Sequence, residues 1–271
     1  MEFNRVTFLR DLKIKSHNFI EGLKSYKAQL SCCDLCGNGC NSQAIICDFC
    51  LADLPLFDIK ALHGDLLTWP AVEKLLPKKQ FDQLITVSPY QWPVDSWVRQ
   101  LKYHGRFELV NLLSLLLFQQ WKNVMQHNTE TLEYFSPPLL LLSVPIHLKK
   151  WQHRGFNQAH LLAESFADKV KIPYFPNALT RKDNNISQAG QTGISRRKNL
   201  RHAFELSTDF LTDKKNQKFQ LPEHVMLLDD VVTTGSTCNE ICRLLKANGV
   251  KKVTVISICL SLPDNTFNKF N

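Results

Sequence analysis

The sequence lacks any apolar run long enough to cross a membrane. Its two longest runs, residues 109–118 and 137–146, fall well short of the roughly 20 residues that a transmembrane helix needs. Residues 1–22 also lack the uninterrupted apolar stretch of a signal peptide, because charged residues are scattered through them. We therefore expect a cytoplasmic protein without a membrane span, in which the first run is a buried helix and the second a buried strand.

Acidic residues are fewer than basic ones. The chain has 33 Lys and Arg against 25 Asp and Glu, which gives a formal net charge of +8. This excess favours anionic partners such as phosphorylated metabolites, nucleic acid or acidic membranes, although solvated basic faces would explain it equally well. With 271 residues and 44% hydrophobic composition, the chain is large enough for one sizeable core and a small appended module.

Cysteine is plentiful but concentrated in one short segment. Six of the nine cysteines lie between residues 32 and 50, and no export signal accompanies them, so we expect reduced thiols and not disulfides. Cys33 and Cys36 form one Cys-x-x-Cys pair, and Cys47 and Cys50 form a second pair after a gap of ten residues. Two such pairs can supply four thiolates in a tetrahedron, which suits Zn²⁺.

The predicted zinc ion would be structural and not catalytic, because four protein ligands leave no coordination position for water. The assignment of ligands within the cluster has rivals in Cys32 and Cys40. The alternative is a knot of free structural cysteines without a metal. The segment predicts an N-terminal zinc-ribbon module over residues 1–60.

The second half of the chain alternates apolar strands with amphipathic helices. A strand within 138–146 precedes a helix over 157–170, and a strand beginning at Val225 precedes another helix and the apolar run 253–260. This alternation indicates an α/β fold with a parallel sheet covered by helices on both faces. We assign residues 136–271 to this domain and residues 61–135 to a mainly helical connecting region.

The stretch VMLLDDVVTTGST, residues 225–237, places two carboxylates and several hydroxyls after an apolar strand. We predict a strand over 225–228, a turn over 229–237 and a helix that ends at Gly249. In a parallel sheet, ligands bind at such a strand end, where helix N–H groups can surround a phosphate. The sequence GxxxxGK[ST] is missing, which excludes a Walker A nucleotide site. Carboxylates beside a phosphate loop suit a ribose that carries a phosphate.

The same stretch resembles the phosphoribosyl pyrophosphate (PRPP) signature of type I phosphoribosyltransferases. The segments LKYHGR (101–106), VPIHLKKWQHRGFNQAHLLA (144–163) and NLRHAF (199–204), together with the cysteine pairs, resemble the ComF family of competence and DNA-uptake proteins. The resemblance covers nearly the whole chain. It implies a transferase-like domain that takes PRPP with Mg²⁺ and serves natural transformation.

The resemblance also implies roles for individual residues. Asp229 and Asp230 would bind the ribose hydroxyls and stabilise an oxocarbenium-like state at the anomeric carbon. Arg154 and Lys149 would contact the pyrophosphate, and Lys102 is a further candidate anion contact. A flexible loop would carry Gln188, Arg196 and Asn199, although Gln191 stands where an apolar residue is expected. The 5′-phosphate loop would comprise Val231, Val232, Thr233, Thr234, Gly235, Ser236 and Thr237.

Each of these sites has a simpler explanation. Asp229 and Asp230 could be a helix N-cap and its solvated neighbour, and the basic residues could be solvated loop positions. Two functional hypotheses remain open. One is a PRPP-dependent transferase with an unknown acceptor, and the other is a binding module that senses PRPP, contacts single-stranded DNA or docks other competence proteins.

Overall fold

The computed structural model describes residues 32–40, 44–130, 137–182, 202–211 and 220–263. The chain divides into two compact units between Leu54 and Pro55.

The smaller unit is built around the cysteine segment. Backbone bonds close a tight turn, in which the N–H of Gly37 donates to the carbonyl of Cys33 at 2.9 Å. A short helix, α1 (Asp48–Ala52), begins directly after Cys47. The buried apolar residues described in this unit are Cys33, Ile46 and Leu54. These three side chains bury little surface, so they contribute little to stability.

The larger unit contains the remaining helices and strands. A short 3₁₀ turn at Leu66–Thr68 precedes them. In chain order they are α2 (Pro70–Leu75), β1 (Gln83–Pro89), α3 (Val94–His104), α4 (Leu109–Glu130), β2 (Leu140–Ser143), α5 (Leu148–Arg154), α6 (Gln158–Val170), β3 (Leu179–Arg181), β4 (Phe204–Leu206), α7 (Thr208–Leu211), β5 (His224–Val232), α8 (Ser236–Ala247) and β6 (Lys252–Leu260).

A parallel sheet of four strands organises this unit. The strand order is β1-β6-β5-β2, and each neighbouring pair is parallel. Every residue of β1 and β2 is buried, as are nearly all residues of β6. Because successive side chains of a strand point to opposite faces, this burial means that both faces of the sheet are covered. Strands β3 and β4 form a separate antiparallel pair.

Local sequence explains where the covering helices begin and end. Helix α6 starts after Asn157, whose side chain accepts the N–H of Ala159, and it stops at Lys171 in the left-handed conformation. Its buried face includes Leu162 and Phe166. Helices α4 and α6 pack on each other and on the sheet, and α8 packs against β5 and β6. The loops at the carboxyl ends of the strands are thereby left to form a site.

The predicted α/β class with a parallel sheet covered on both faces is confirmed. The division of the chain differs from the predicted one, because the unit that begins at Pro55 includes residues 61–135. The described part of that region, residues 61–130, is mainly helical, yet it also supplies β1, which pairs with β6. The residues we treated as a connection thus complete the sheet. Among the helices that the structure describes, none is both long enough and apolar enough to cross a bilayer.

The strand that carries the two carboxylates is longer than predicted. We expected it to end at Leu228, but β5 runs to Val232, with Asp229 opposite Ser257 and Val232 opposite Leu260. The apolar strand β6 continues alongside, so ladder hydrogen bonds hold the backbone extended past the last buried leucine. The turn is accordingly shorter, and α8 starts at Ser236 and ends at Ala247, just before Gly249.

Candidate functional site

A cavity of about 410 Å³ lies at the carboxyl ends of the four parallel strands. Tyr90 follows β1, Val144 follows β2 and Ser261 follows β6, and all three line the cavity together with residues from the end of β5. Parallel strands bring their carboxyl ends to one edge, which is why residues far apart in sequence meet here. The cavity is where the sequence motif predicted a ligand site.

Asp229 and Asp230 both line this cavity. They are consecutive residues of β5, so their side chains leave the strand on opposite faces. Asp230 forms an ion pair with Lys102, whose Nζ lies 3.0 Å from Oδ1. Asp229 accepts the N–H of Asp230 at Oδ1 over 2.9 Å, and the Cys238 thiol lies 4.0 Å from Oδ2. The two carboxylates are therefore chemically different.

Burial of its carboxyl group raises the pKa of Asp229 from 3.8 to about 7. The neighbouring negative charge of Asp230 raises it further, while Lys102 acts in the opposite direction. The raised pKa lets this carboxyl take up a proton at a higher pH than an ordinary aspartate, and the protonated form can donate as well as accept a hydrogen bond.

The loop after β5 brings hydroxyls and a helix terminus to the cavity. Thr233 and Thr237 line it, whereas Thr234 and Ser236 are hydrogen-bonded to each other over 2.8 Å between their Oγ atoms. Gly235 occupies the N-cap position of α8 and has no side chain to accept its first N–H groups. The helix start can therefore offer these donors to an anion. The two carboxylates lie in the strand and do not cap this helix.

Gly235 is required by two features of the loop. Its φ is +66°, a left-handed conformation that side chains other than glycine disfavour. A Cβ at this position would also lie 3.1 Å from Cδ2 of Leu76 and 3.6 Å from Cε1 of Phe81. The loop is thus held against the side chains that lead into β1. Val232 is buried and does not line the cavity, whereas Val231 does.

Helix α5 and the loop that follows it form a basic wall of the cavity. Lys150 and Arg154 line the cavity, whereas Lys149 is not among the lining residues. Positions 150 and 154 are four residues apart and share a helix face, which position 149 does not. The spacing to Arg154 indicates Lys150 once residues 148–154 are known to form a helix.

Arg154 is held in place by side chains from two other helices. Its Nη2 donates to the hydroxyl of Tyr103 over 3.0 Å, and its guanidinium lies 4.7 Å from the centre of the Tyr103 ring. Its Nη1 donates to Gln158 over 3.0 Å. Arg181 lines the cavity as well, and no motif in the sequence singled it out. The predicted loop residues Gln188, Arg196 and Asn199 lie outside the described residues.

Charge inside the cavity favours an anion. Two carboxylates face four cationic side chains, which are those of Lys102, Lys150, Arg154 and Arg181. One of the four, Lys102, is already paired with Asp230. The remaining cations and the N-terminus of α8 can bind phosphate groups, while the carboxylates can accept hydroxyls.

A second candidate site lies within the smaller unit. The Sγ atoms of Cys33, Cys36, Cys47 and Cys50 all lie within 4.8 Å of one another, and those of Cys36 and Cys47 are 3.7 Å apart. A tetrahedron with Zn–S bonds of about 2.3 Å has edges of about 3.8 Å, so the donor set and its size fit zinc. Cys32 instead bridges Gly39 through its backbone, and the Cys40 thiol donates to the Ala44 carbonyl at 3.1 Å.

The backbone around this cluster favours a thiolate at Cys33. Burial alone would raise the pKa of this thiol, but N–H groups of Cys36, Cys47 and Leu35 lower it to about 6. Burial and hydrogen bonds from the neighbouring cysteines raise the pKa of Cys50. A bound cation would deprotonate the remaining thiols.

Comparison with curated proteins places the chain in a family. DNA utilization protein YhgH from Escherichia coli O157:H7 is 30% identical over 233 residues, which cover 85% of this chain and 90% of that protein. The chain belongs to the ComF/YhgH family. Competence protein F from Haemophilus influenzae is 30% identical over 183 residues, covering 67% of this chain and 74% of that protein. Competence protein ComFC from Bacillus subtilis is 26% identical over 175 residues, covering 65% and 62%.

Two solved structures are also similar to this ComF/YhgH family member. The adenine phosphoribosyltransferase of Leishmania tarentolae has 14% sequence identity and a TM-score of 0.28, with 52% of this chain and 71% of that chain covered. A hypoxanthine phosphoribosyltransferase from Staphylococcus aureus has 12% identity and a TM-score of 0.30, with 58% and 75% covered. Both scores are too low to support an argument about substrate or mechanism. No protein-family model matches the chain.

Proposed function

We propose that this ComF/YhgH family member binds PRPP with Mg²⁺ in the cavity at the carboxyl end of β5. The observation that carries the proposal is the arrangement of Asp229 and Asp230 beside the start of α8. The carboxylates offer acceptors for ribose hydroxyls, and the hydroxyls and N–H groups from Thr233 to Thr237 offer donors for the 5′-phosphate. Mg²⁺ bound with the ligand would neutralise charge on the pyrophosphate.

The basic wall supplies the pyrophosphate subsite in this proposal. Lys150 and Arg154 line the cavity, and Arg154 is already oriented by Tyr103 and Gln158. Lys149, which the sequence also suggested, belongs to the same helix but not to the lining. We therefore expect the leaving group to be bound by Lys150 and Arg154 in preference to Lys149.

The chemistry supported by this arrangement is transfer of the phosphoribosyl group to an acceptor. Displacement at the anomeric carbon would pass through an oxocarbenium-like state, which the negative charge of Asp230, and of Asp229 when it is ionised, would stabilise. The alternative is a module that binds PRPP without catalysis and uses it as a signal. Pyrophosphate release measured against a panel of nucleobases separates the two. An enzyme releases pyrophosphate when its acceptor is present, and a binding module does not release it with any acceptor.

The binding proposal is tested by replacing both carboxylates with amides. Asp229→Asn/Asp230→Asn keeps the shape of the side chains and removes charge-assisted bonds to the ribose, each worth about 1.5 to 3 kcal/mol. We expect calorimetry with PRPP and Mg²⁺ to show a loss of affinity on the order of 10²-fold or more, with little change in the thermal melt.

The matched control is Glu164→Gln/Asp168→Asn. It removes the same two charges from exposed positions of α6 that do not line the cavity. We expect this control to bind PRPP like the wild type. If the affinity of Asp229→Asn/Asp230→Asn for PRPP is unchanged, the carboxylates do not bind the ribose. If that variant unfolds, the carboxylates serve the stability of the fold.

A second proposed function is contact with single-stranded DNA. The relatives are called DNA utilization and competence proteins. Tyr103, Phe107 and Trp151 are large side chains that are 60%, 52% and 49% exposed, and Trp151 shares α5 with the basic residues of the cavity wall. Bases can stack on such aromatic rings while the cations contact phosphates.

Salt dependence tests this second function. Binding dominated by phosphate contacts must weaken steeply as salt rises, so a labelled oligonucleotide is titrated at two ionic strengths. Trp151→Ala should weaken binding by about 1 to 3 kcal/mol, whereas Leu115→Ala, which truncates another half-exposed apolar side chain, should leave it unchanged. If no binding is detected at low salt, or if the affinity does not change with salt, direct DNA binding is excluded. Docking to other competence proteins is then the alternative.

We also propose that the four clustered cysteines hold one structural Zn²⁺. The support is the number, spacing and chemistry of the thiols, which leave no position for a reacting water. Such an ion would act on folding of the smaller unit and not on the chemistry of the cavity.

A further inference from the structure

Gln158, the first residue of α6, has an unusual environment for a polar side chain. It lines the cavity, yet only 3% of its surface is exposed. Its Oε1 accepts a hydrogen bond from Nη1 of Arg154 over 3.0 Å. Its Nε2 is buried and has no hydrogen-bond partner among the residues that the structure describes. A donor group at the cavity is therefore left unsatisfied.

The chemistry of Arg154 determines which end of the Gln158 amide is unsatisfied. A guanidinium group can only donate hydrogen bonds, so the amide atom that faces it must be the oxygen. The amino group of Gln158 is consequently the end that lacks a partner. A buried donor without a partner destabilises the fold, and native proteins keep few of them. The place of Gln158 at the cavity indicates a ligand as the missing partner.

We propose that Gln158 is a binding residue for an anionic oxygen of the pyrophosphate group, to which it donates through Nε2. This inference rests on the proposed PRPP function. A phosphate oxygen binds a guanidinium more strongly than a neutral amide oxygen does, because both partners are then charged. A ligand oxygen that takes Nη1 of Arg154 therefore releases Oε1 of Gln158. The amide can then turn about its last side-chain bond, whose rotation is broad in glutamine, and donate to the same ligand.

The surroundings of Gln158 also suit an anion. Helix α6 has 13 residues with no acidic residue in its first turn, and its N-terminus carries a partial positive charge. Asn157 and Ala159 line the cavity beside Gln158. The side chain of Asn157 accepts the N–H of Ala159 over 3.1 Å and donates to the carbonyl of Val144 over 3.0 Å. The start of α6 is thereby fixed to the loop that follows β2.

The test replaces Gln158 by methionine, which has a similar length and helix propensity but no amide. We expect calorimetry with PRPP and Mg²⁺ to show a loss of affinity of about tenfold to a hundredfold in Gln158→Met, as for a lost hydrogen bond to a charged group. The melting temperature should not fall, because the variant also removes an unsatisfied buried donor. If Gln158→Met fails to fold, Gln158→Leu replaces it with the same expectations. Unchanged affinity overturns the inference.

The matched control is Gln120→Met. Gln120 is also 3% exposed, but it does not line the cavity, and its Nε2 donates to the carbonyls of Phe57 and Thr86. Because Gln120→Met removes satisfied hydrogen bonds, it should lower the melting temperature and leave the affinity for PRPP unchanged. An equal loss of affinity in the two variants would mean that the loss does not come from a contact in the cavity, and the inference would fall.

A double-mutant cycle separates donation by Gln158 from orientation of Arg154. If Gln158 only holds Arg154 in place, Gln158→Met has no effect on the affinity of a protein that already carries Arg154→Met. If Gln158 donates to the ligand itself, we expect a further loss of about tenfold in that protein. Absence of the further loss would make Gln158 a positioning residue and would overturn the inference.

Inorganic pyrophosphate with Mg²⁺, used as a second probe, distinguishes failure of this inference from failure of the proposed function. If the wild type binds PRPP and Gln158→Met binds it equally well, the function stands and the inference falls. If the wild type binds pyrophosphate but not PRPP, the proposed function is excluded, and the pyrophosphate affinities of the same variants decide the role of Gln158. If the wild type binds neither probe, both are excluded.

Discussion

Different interactions stabilise the smaller unit and the larger unit. The described part of the smaller unit buries only Cys33, Ile46 and Leu54 as apolar residues, and four cysteines supply its main cluster. The larger unit buries a parallel sheet on both faces, with fully buried side chains such as Trp97 and Phe166. Among the described residues, the cluster of thiols that could hold a metal in place of a hydrophobic core lies in the smaller unit, so the stability of the two units should respond to different perturbations.

The largest predicted effect is on the smaller unit and follows removal of its thiols. Structural zinc contributes roughly 10 to 16 kcal/mol to small zinc-binding peptides, far more than the described apolar core can replace. Cys47→Ser/Cys50→Ser should therefore lose the bound zinc, as measured by metal analysis. Hydrogen exchange over residues 44–54 should become fast, as it should in wild type treated with a chelator.

The control for this prediction is Cys32→Ser/Cys40→Ser. These cysteines lie outside the four-thiol cluster, so this variant should keep one zinc ion per chain. All five tryptophans lie in the larger unit, and their fluorescence melt should change little in either variant. A full equivalent of zinc retained by Cys47→Ser/Cys50→Ser would show that the ligands lie elsewhere.

The next largest effect is predicted in the larger unit, at Gly235. Alanine there must adopt φ +66° and places a methyl group 3.1 Å from Leu76, so we expect a loss of about 2 to 4 kcal/mol in the free energy of unfolding. Gly105→Ala has nearly the same φ, +64°, but its Cβ would lie 3.7 Å from Phe107. Denaturant titration followed by tryptophan fluorescence should show the larger loss for Gly235→Ala. Equal losses in the two variants would show that the close approach to Leu76 does not destabilise Gly235→Ala.

The smallest predicted effect concerns pH and Asp229. Folding raises its pKa from 3.8 to about 7. Its favourable contribution to stability is therefore complete below pH 3.8 and is lost as pH rises through about 7. The unfolding free energy of wild type relative to Asp229→Asn should therefore fall by roughly 2 to 3 kcal/mol between pH 5 and pH 8. Denaturant titrations at these two pH values check the sign, and a rise with pH would contradict it.

Much of this organisation could be predicted from local sequence patterns. The repeated Cys-x-x-Cys spacing identified the four thiols that lie together, and the alternation of apolar strands with helices identified the α/β class. Both signals are local, because each depends on residues within about one turn or one strand of each other.

Contacts between distant segments could not be predicted in the same way. Lys102 and Asp230 are 128 residues apart, so neither of the two motifs that contain them predicts that they form an ion pair. The extension of β5 to Val232 depends on the neighbouring strand β6 and not on its own composition. Lys150 was missed because the choice between adjacent lysines requires the phase of helix α5, which a short polar helix does not reveal.

The strand order of the sheet also determines when the larger unit can form during protein synthesis. Its two central strands, β5 and β6, follow both edge strands in the sequence. When β1 and β2 leave the ribosome, neither has its partner, because β1 pairs with β6 and β2 with β5. At about 5 to 20 residues per second, the wait between Pro89 and Lys252 is on the order of ten seconds. The nascent apolar edge strands therefore need protection until the last strand is made.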